Sequence, residues 1–308
     1  MKIFITGISG FIGFHTALKL SQDHEVLGVD SFNDTYDVSL KRSRQKILED
    51  RNIKIIERDI MDFDFYDYIK DVDAVIHLAG YSNVRMSLED PLDYVINNIA
   101  VTQRLIESCE IFKIEKVLYA STSCVMEGQE LPWKDTTKEH YHPSSPYGWS
   151  KYVNECQFSK IPKHYGMRFF TVYGPYGRPD MAVHSFTKDI IEGNKLTIYG
   201  HGKMKRDFTY IDDAVNGILV LLGNNEKSNI YNIANSQPVY IMDMVVAIET
   251  NLGIKGHYNL VDKHPAEVMQ TWGDISTMRY MGYDPKVHYT RGIEKFVTWY
   301  KQYYGKLN

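Results

Sequence analysis

The 308-residue chain has only three cysteines, Cys109, Cys124 and Cys156, widely separated and without a C-x-x-C pair. That excludes a disulfide framework and a structural zinc site, and reads as reduced thiols in a cytoplasmic protein. No apolar run approaches the roughly 18 residues that suggest a membrane span. No basic stripe gathers the lysines and arginines, and net charge is −4, so nucleic acid is not an expected partner. The chain opens directly on a strand pattern, without a charged lead-in and cleavage site, which predicts no signal peptide. Internal repeats, low-complexity segments and a Pro/Ser-rich linker between halves are all missing. His140 and His142 stand close together, but in a Pro/Ser loop with no Cys or carboxylate at ligand spacing. A solvated loop is the expected reading there, and no metal site is expected.

What the chain does have is an alternation. Apolar β-like runs fall at 2–6, 25–30, 53–57, 74–79 and 116–121, with a sixth at 167–172. Helical patterns lie between them at 11–21, 39–50, 64–70 and 91–109, and another helix starts after Pro146. Strands separated by helix-length segments predict right-handed βαβ units and an α/β, Rossmann-like doubly wound parallel sheet. After residue 173 the texture changes to helices at 181–192, 211–222, 241–251 and 290–303, mixed with short strands at 195–199 and 229–234. We therefore expect residues 1–172 to form the Rossmann half and 173–308 a smaller mixed lobe. The two are intimately joined, some elements cross over, and the ligand lies beyond the carboxyl ends of the strands.

The first βα turn reads GISGFIG, with Gly7, Gly10 and Gly13 spaced as G-x-x-G-x-x-G. Glycines there allow a tight turn and close approach of a pyrophosphate to the free N–H groups of the following helix. A glycine triplet alone is weak, but Asp30 ends the second strand 17 residues after Gly13. An acid at that place holds a ribose 2′-OH and repels a 2′-phosphate, so NAD is favoured over NADP. A strand-end Asp that merely caps a turn is the alternative. Asp59 follows the third strand and would accept from the adenine amino group. HLAG, ending with Leu78, Ala79 and Gly80, follows the fourth. The positions expected to face the cofactor are Gly7, Gly10, Phe11, Ile12, Gly13, Asp30, Asn33, Asp59, Ile60, Leu78, Ala79 and Asn98, with Tyr147 and Lys151.

Tyr147 and Lys151 lie four apart in SPYGWSKYVNE, on one face of a helix beginning after Pro146. The ammonium would lower the phenol pKa and make a tyrosinate base accessible. Y-x-x-x-K also occurs at Tyr66 and Tyr199, so position decides: only Tyr147 begins a helix directly after the fifth strand and its loop. At the end of that strand stands STSCVMEG (121–128), where Thr122 would bridge a sugar hydroxyl and Tyr147. A Ser/Thr turn closing a strand is the alternative. Asn98 either orients the lysine through water or satisfies a helix kink.

GISGFIG, Asp30, HLAG, the Ser/Thr cluster and the Tyr147/Lys151 pair resemble the nucleotide-sugar enzymes of the extended short-chain dehydrogenase/reductase superfamily. SFNDTYDVSLKRSR (31–44), RFFTVYGPYGRPDMA (168–182) and GKMKRDFTYIDD (202–213) narrow this to similarity with UDP-glucuronate 4-epimerases over nearly the whole chain. The resemblance implies that the C-terminal lobe binds UDP. Arg206 would reach the diphosphate, Tyr199 would lie near the uracil, and Arg178 near the diphosphate or sugar. Arg85, Thr122, Ser123, Cys124 and Thr171 would surround the sugar. Each arginine taken alone reads as a surface ion pair. The chain departs from the family at Met126, Glu127 and Cys124, and LAGYSNVRMS (78–87) replaces LAAQAGVRYS. The stretch from Lys151 to Arg168 is shorter than the pattern, in a helix such enzymes use for homodimer contacts, which weakens the implied homodimer.

The resemblance implies NAD-dependent C4 epimerisation of UDP-glucuronate to UDP-galacturonate through a 4-keto intermediate, in polysaccharide biosynthesis. Decarboxylation, dehydration, or epimerisation of UDP-glucose or UDP-N-acetylglucosamine shares the first half-reaction. Related dehydratases and decarboxylases carry acids where Ser123 and Cys124 stand, which argues against those two exits. A non-catalytic NAD-sensing protein could dispense with the Tyr–Lys pair that this chain keeps.

Overall fold

A computed structural model describes residues 1–62, 64–136, 141–224, 229–264 and 267–305; His140 lies outside them. The apolar opening forms β1 (Lys2–Thr6), and the glycine turn leads into α1 (Phe11–Leu20). The pattern repeats through β2 (Glu25–Asp30), α2 (Val38–Glu49), β3 (Lys54–Glu57), α3 (Tyr66–Ile69) and β4 (Ala74–His77). Two short helices, α4 (Val84–Glu89) and α5 (Pro91–Tyr94), then run into a π-helical stretch, Val95–Ala100, and α6 (Val101–Ile111). β5 (Lys116–Thr122), a 3-10 turn at Ser123–Met126, α7 (Pro146–Phe158) and β6 (Lys163–Phe169) follow.

Beyond β6 come β7 (Thr171–Tyr173), α8 (Ala182–Glu192), β8 (Lys195–Ile198), β9 (Lys205–Tyr210) and α9 (Ile211–Gly223). β10 (Asn229–Ile233), β11 (Pro238–Tyr240), α10 (Ile241–Leu252), β12 (His257–Leu260), α11 (Ser276–Tyr280) and α12 (Tyr289–Tyr304) complete the chain. The large sheet has the order β3-β2-β1-β4-β5-β6-β10, with every neighbour parallel. Its order reverses direction between β1 and β4, so the ligand crevice of a doubly wound sheet opens there. β11, β9 and β7 form a second sheet, and β12 pairs with β8.

Both faces of the large sheet are covered, as its continuous apolar strands require. Ile3, Ile5, Ile76 and Leu118 join one buried cluster with Phe14 of α1 and Ile211 and Ile218 of α9. Phe4, Val75 and Val117 turn the other way, against Val101 and Leu105 of α6 and Phe158 of α7. Full burial of each such side chain contributes about 1.5–3 kcal/mol.

Two elements differ from the sequence reading. The sixth strand was expected at 167–172, but β6 starts at Lys163 and breaks at Phe170. Gly166 lets the Tyr119 ring cross where a Cβ would fall 2.7 Å from its hydroxyl, and Phe170 donates its N–H to the Ile233 carbonyl at 3.1 Å as the chain turns into the second sheet. The helix expected at 91–109 is interrupted by the π-helical turn that carries Asn98. β10, from the later part of the chain, pairs along β6 in the large sheet.

Candidate active site

The glycine turn lies where β1 passes β4. Gly7 takes φ +68°, and a Cβ there would meet the Ala79 nitrogen at 2.8 Å. A Cβ on Gly13 would fall 2.1 Å from the Gly7 carbonyl oxygen, so α1 can begin flush against the turn. Gly10 is the N-cap residue and no side chain caps the helix; Phe11 and Ile12 follow with their amides uncapped, a ready anion site. Leu78 and Ala79 complete the wall, with the Ala79 N–H donated to Thr6 Oγ1 at 3.2 Å.

Asp30 is buried at the end of β2 and accepts the Ser9 and Phe32 N–H groups, each at 3.0 Å. Burial raises its pKa, opposed by those amides and by the nearby charges of Lys41 and Arg44. The Lys41 ammonium donates to Asn33, to its carbonyl at 2.6 Å and its Oδ1 at 2.5 Å. Arg44, fully buried, donates to the carbonyls of Ser9 (2.9 Å) and Tyr176 (2.5 Å). The sequence reading passed over both residues, although their i, i+3 spacing on an otherwise polar helix marks a shared buried face. Asp59 is exposed and accepts the Met61 N–H at 2.8 Å, while Ile60 is buried behind it.

At the other end of the crevice, β5 and α7 bring Thr122, Tyr147 and Lys151 together. Ser145 caps α7 through the Gly148 N–H (3.2 Å) and Pro146 occupies its first turn. Tyr147 is thereby the second residue of the helix, with Lys151 one turn on. Burial pushes the Tyr147 phenol well above its usual range, helped by the Cys124 sulfur and opposed by Thr122 and Arg178. Lys151, expected to lower that pKa with the help of a cationic nicotinamide ring, lies one helical turn beyond the phenol. Desolvation pushes Lys151 down to about 8. Gly80 leaves room for it: a Cβ there would meet Asn98 Oδ1 at 2.8 Å and Lys151 Nζ at 3.2 Å. Asn98 donates to Tyr81 O (3.0 Å) and Ser150 Oγ (2.8 Å), so it ties the π-helical turn to α7. Ser123 and Cys124 open the 3-10 turn, and burial pushes the Cys124 thiol up to about 12.

The arginines occupy two places. Arg178 donates to Asp180 at 3.0 and 2.6 Å and contacts Ser82, bringing it beside Tyr147. With Thr171 it lines a small cavity of about 10 Å³, walled by Phe208 and Phe296. Arg85 and Arg206 meet at the rim instead. Glu267 bridges them at 2.5 and 3.1 Å, and the Arg85 guanidinium stacks 4.4 Å from the Tyr199 ring centre. Arg85 was expected near the sugar; its helix is capped by Asn83 Oδ1, and it turns to the Tyr199 side of the cleft.

Residues 3–234 match the NAD dependent epimerase/dehydratase family. Protein CapI of Staphylococcus aureus is 38% identical over 99% of this chain and 100% of its own length. UDP-glucuronate 4-epimerase 4 of Arabidopsis thaliana is 37% identical over 99% of this chain and 76% of its own. The solved structure of Bacillus cereus UDP-glucuronic acid 4-epimerase, in complex with UDP-glucuronic acid and NAD, matches with a TM-score of 0.92 at 35% identity. That match covers 99% of this chain and 100% of the other. A match of that extent, on a parallel sheet with its glycine turn at the switch point, makes this chain a member of the NAD dependent epimerase/dehydratase family.

Proposed function

We propose that this protein is an NAD-dependent 4-epimerase of UDP-sugars that interconverts UDP-glucuronate and UDP-galacturonate. The observation that carries this reading is the meeting of Thr122, Tyr147 and Lys151 at the carboxyl end of β5, facing the same crevice as the glycine turn. Similarity to the Bacillus cereus and Arabidopsis thaliana enzymes supports the choice of sugar.

NAD fits the crevice: the uncapped amides of α1 suit its pyrophosphate, and Asp30 keeps lone pairs for ribose hydroxyls beyond the two amides it accepts. When bound, NAD supplies the acceptor for the C4 hydride and gives it back. Tyr147 takes the proton of the 4-OH, with Thr122 bridging phenol and sugar oxygen. Lys151, desolvated and without a carboxylate partner among the described residues, is placed to hold the nicotinamide ribose and favour the phenolate. Tyr147 returns its proton once the 4-keto sugar has turned over. Oxidation at C4 makes a β-keto acid, and decarboxylation is disfavoured because Ser123 and the neutral Cys124 thiol are poor proton donors beside a carboxylic acid. Arg178 and Thr171 face the sugar, while Arg206, Arg85 and Tyr199 serve the diphosphate and uracil.

The reading extends to a cytoplasmic homodimer acting in polysaccharide biosynthesis. In its support, the cysteines are unpaired, and Leu88, Leu92, Val95, Ile96 and Trp149 leave apolar surface exposed on α4 to α7. Among the described residues, no helix is long and apolar enough to cross a membrane. The test is incubation with a panel of UDP-sugars followed by proton NMR. C4 inversion of UDP-glucuronate is expected to dominate. Preference for UDP-glucose or UDP-N-acetylglucosamine would overturn the sugar assignment, and accumulation of a UDP-pentose would overturn the epimerase.

A further inference from the structure

Further along the Tyr147/Lys151 face of α7 lies an ion pair that the chemistry above does not use. Glu155 falls one turn after Lys151, so Tyr147, Lys151 and Glu155 share the face turned to β5. Its carboxylate takes two parallel hydrogen bonds from Arg168, Nε to Oε1 and Nη2 to Oε2, both 2.8 Å. Ser121 adds a third, Oγ to Oε1 at 2.5 Å. Arg168 is 1% exposed and Glu155 5%, and Arg168 also donates to the Tyr141 hydroxyl at 3.1 Å.

The placement is specific. Ser121 and Arg168 are register partners on β5 and β6, and Thr122 is the next residue along β5. One carboxylate on α7 is thus bolted to the ends of two adjacent strands, a residue away from Thr122 and two turns from Tyr147. A buried pair of this kind adds little net stability compared with apolar residues of the same volume, but its fork geometry fixes orientation. Beside the Tyr147–Thr122 contact, α7 meets β5 through apolar packing such as the stacking of Tyr119 on Phe158 at 4.0 Å, which tolerates sliding.

We propose that Glu155, held by Arg168 and Ser121, is a positioning residue that sets the register of α7 against β5 and so places the Tyr147 phenol against the Thr122 hydroxyl. The inference rests on the epimerase reading for its kinetic consequence, though not for its geometry.

The double substitution Glu155→Met/Arg168→Met tests it, because removing both partners leaves no orphaned buried charge. Expected are a melting temperature near the parent's, unchanged NAD content and UDP affinity, an unchanged KM, and a kcat lowered about a hundredfold, as misplacement by roughly 1 Å can cost. Parental kcat in a folded double variant would overturn the proposal. Should the double variant fail to fold, Ser121→Ala carries the test alone: kcat is expected to fall severalfold with KM and melting temperature unchanged, and parental kcat would overturn the role. If the parent itself turns over no UDP-sugar, the epimerase reading fails separately. Crystal structures of parent and variant then decide the geometry: a shift of α7 along β5 supports the proposal and an unmoved helix overturns it.

Discussion

A single side-chain amide, that of Asn98, satisfies both backbone polar groups of Tyr81: its Oδ1 accepts the Tyr81 N–H at 2.8 Å and its Nδ2 donates to the Tyr81 carbonyl at 3.0 Å. The π-helical turn that carries Asn98 also leaves its own carbonyl free to accept from Asn154 of α7 at 2.9 Å. Asn98→Leu would strand the Tyr81 groups in the wall beside Lys151. Unfolding free energy is expected to drop on the order of 2 kcal/mol, since an unsatisfied buried group costs about 1–3 kcal/mol and the Tyr81 groups are partly buried. Denaturant titration checks this; a loss under about 0.5 kcal/mol would refute the clamp.

Tyr147→Phe removes one hydroxyl from a site that is otherwise held by α7. Turnover should fall at least about a hundredfold, the low end for a general base, while NAD released on denaturation stays at the parental amount. NMR turnover and cofactor release measure the two halves. Near-parental turnover would take Tyr147 out of the mechanism.

The two arginine positions make different predictions. Arg178 acts on the Tyr147 phenol, whereas Arg85 is bound to Glu267 at the rim. Arg178→Ala should therefore raise KM for UDP-glucuronate more than for UDP-glucose, and Arg85→Ala should raise both alike. Steady-state kinetics on the two sugars decide, and a uronate-selective loss in Arg85→Ala would return that residue to the sugar.

Asp30→Ala should weaken NAD about ten- to a hundredfold, the loss of charge-assisted hydrogen bonds worth about 1.5–3 kcal/mol. With the carboxylate gone, Lys41 and Arg44 remain nearby as uncompensated cations, so discrimination against NADP should shrink as well. Equilibrium binding of both cofactors to the cofactor-stripped protein tests it; unchanged discrimination would refute the charge argument.

His77 and His184 are buried, and desolvation lowers their pKa values to about 3 and about 4. Unfolding restores values near 6.5, so these two residues bind two more protons in the unfolded chain than in the folded one between about pH 4 and 6.5, and His15, lowered to about 4 by burial, adds a third. Their contribution is full above pH 6.5 and is lost as pH falls through that window, by up to about 1.4 kcal/mol per pH unit for each residue. Burial of Asp207, which raises its pKa to about 6, works the opposite way with a single proton. The melting temperature should drop steadily from pH 6.5 to 4.5, and His77→Asn should flatten that slope. A flat profile in the parent would contradict this.

β1 and β2 coincide with their sequence-read bounds, because each is an apolar run closed by a turn residue. The start of β6 was not legible, since Lys163, His164 and Gly166 look like loop until Tyr119 is seen crossing them. Tyr147 could be singled out from Tyr66 and Tyr199 by its place after the fifth strand. Glu155 could not: its buried carboxylate owes its position to Ser121 and Arg168 on two other elements, to which periodicity is blind. Asn98 was legible as a polar residue at a kink, and only its partner at Tyr81 shows what the kink secures.

β10 closes the open edge of β6 only after the chain has built β7, α8, β8 and β9 outside the large sheet and returned to it through α9. The outer lobe is thus stitched into the sheet at two points and cannot be peeled away like a bead on a string. A fragment ending at residue 172 would present the bare hydrogen-bonding edge of β6 to any passing chain, an invitation to aggregate. Motion between the walls of the crevice is likewise confined to flexing about a doubly tethered seam. Grafting a different outer lobe onto this sheet would have to bring its own seventh strand.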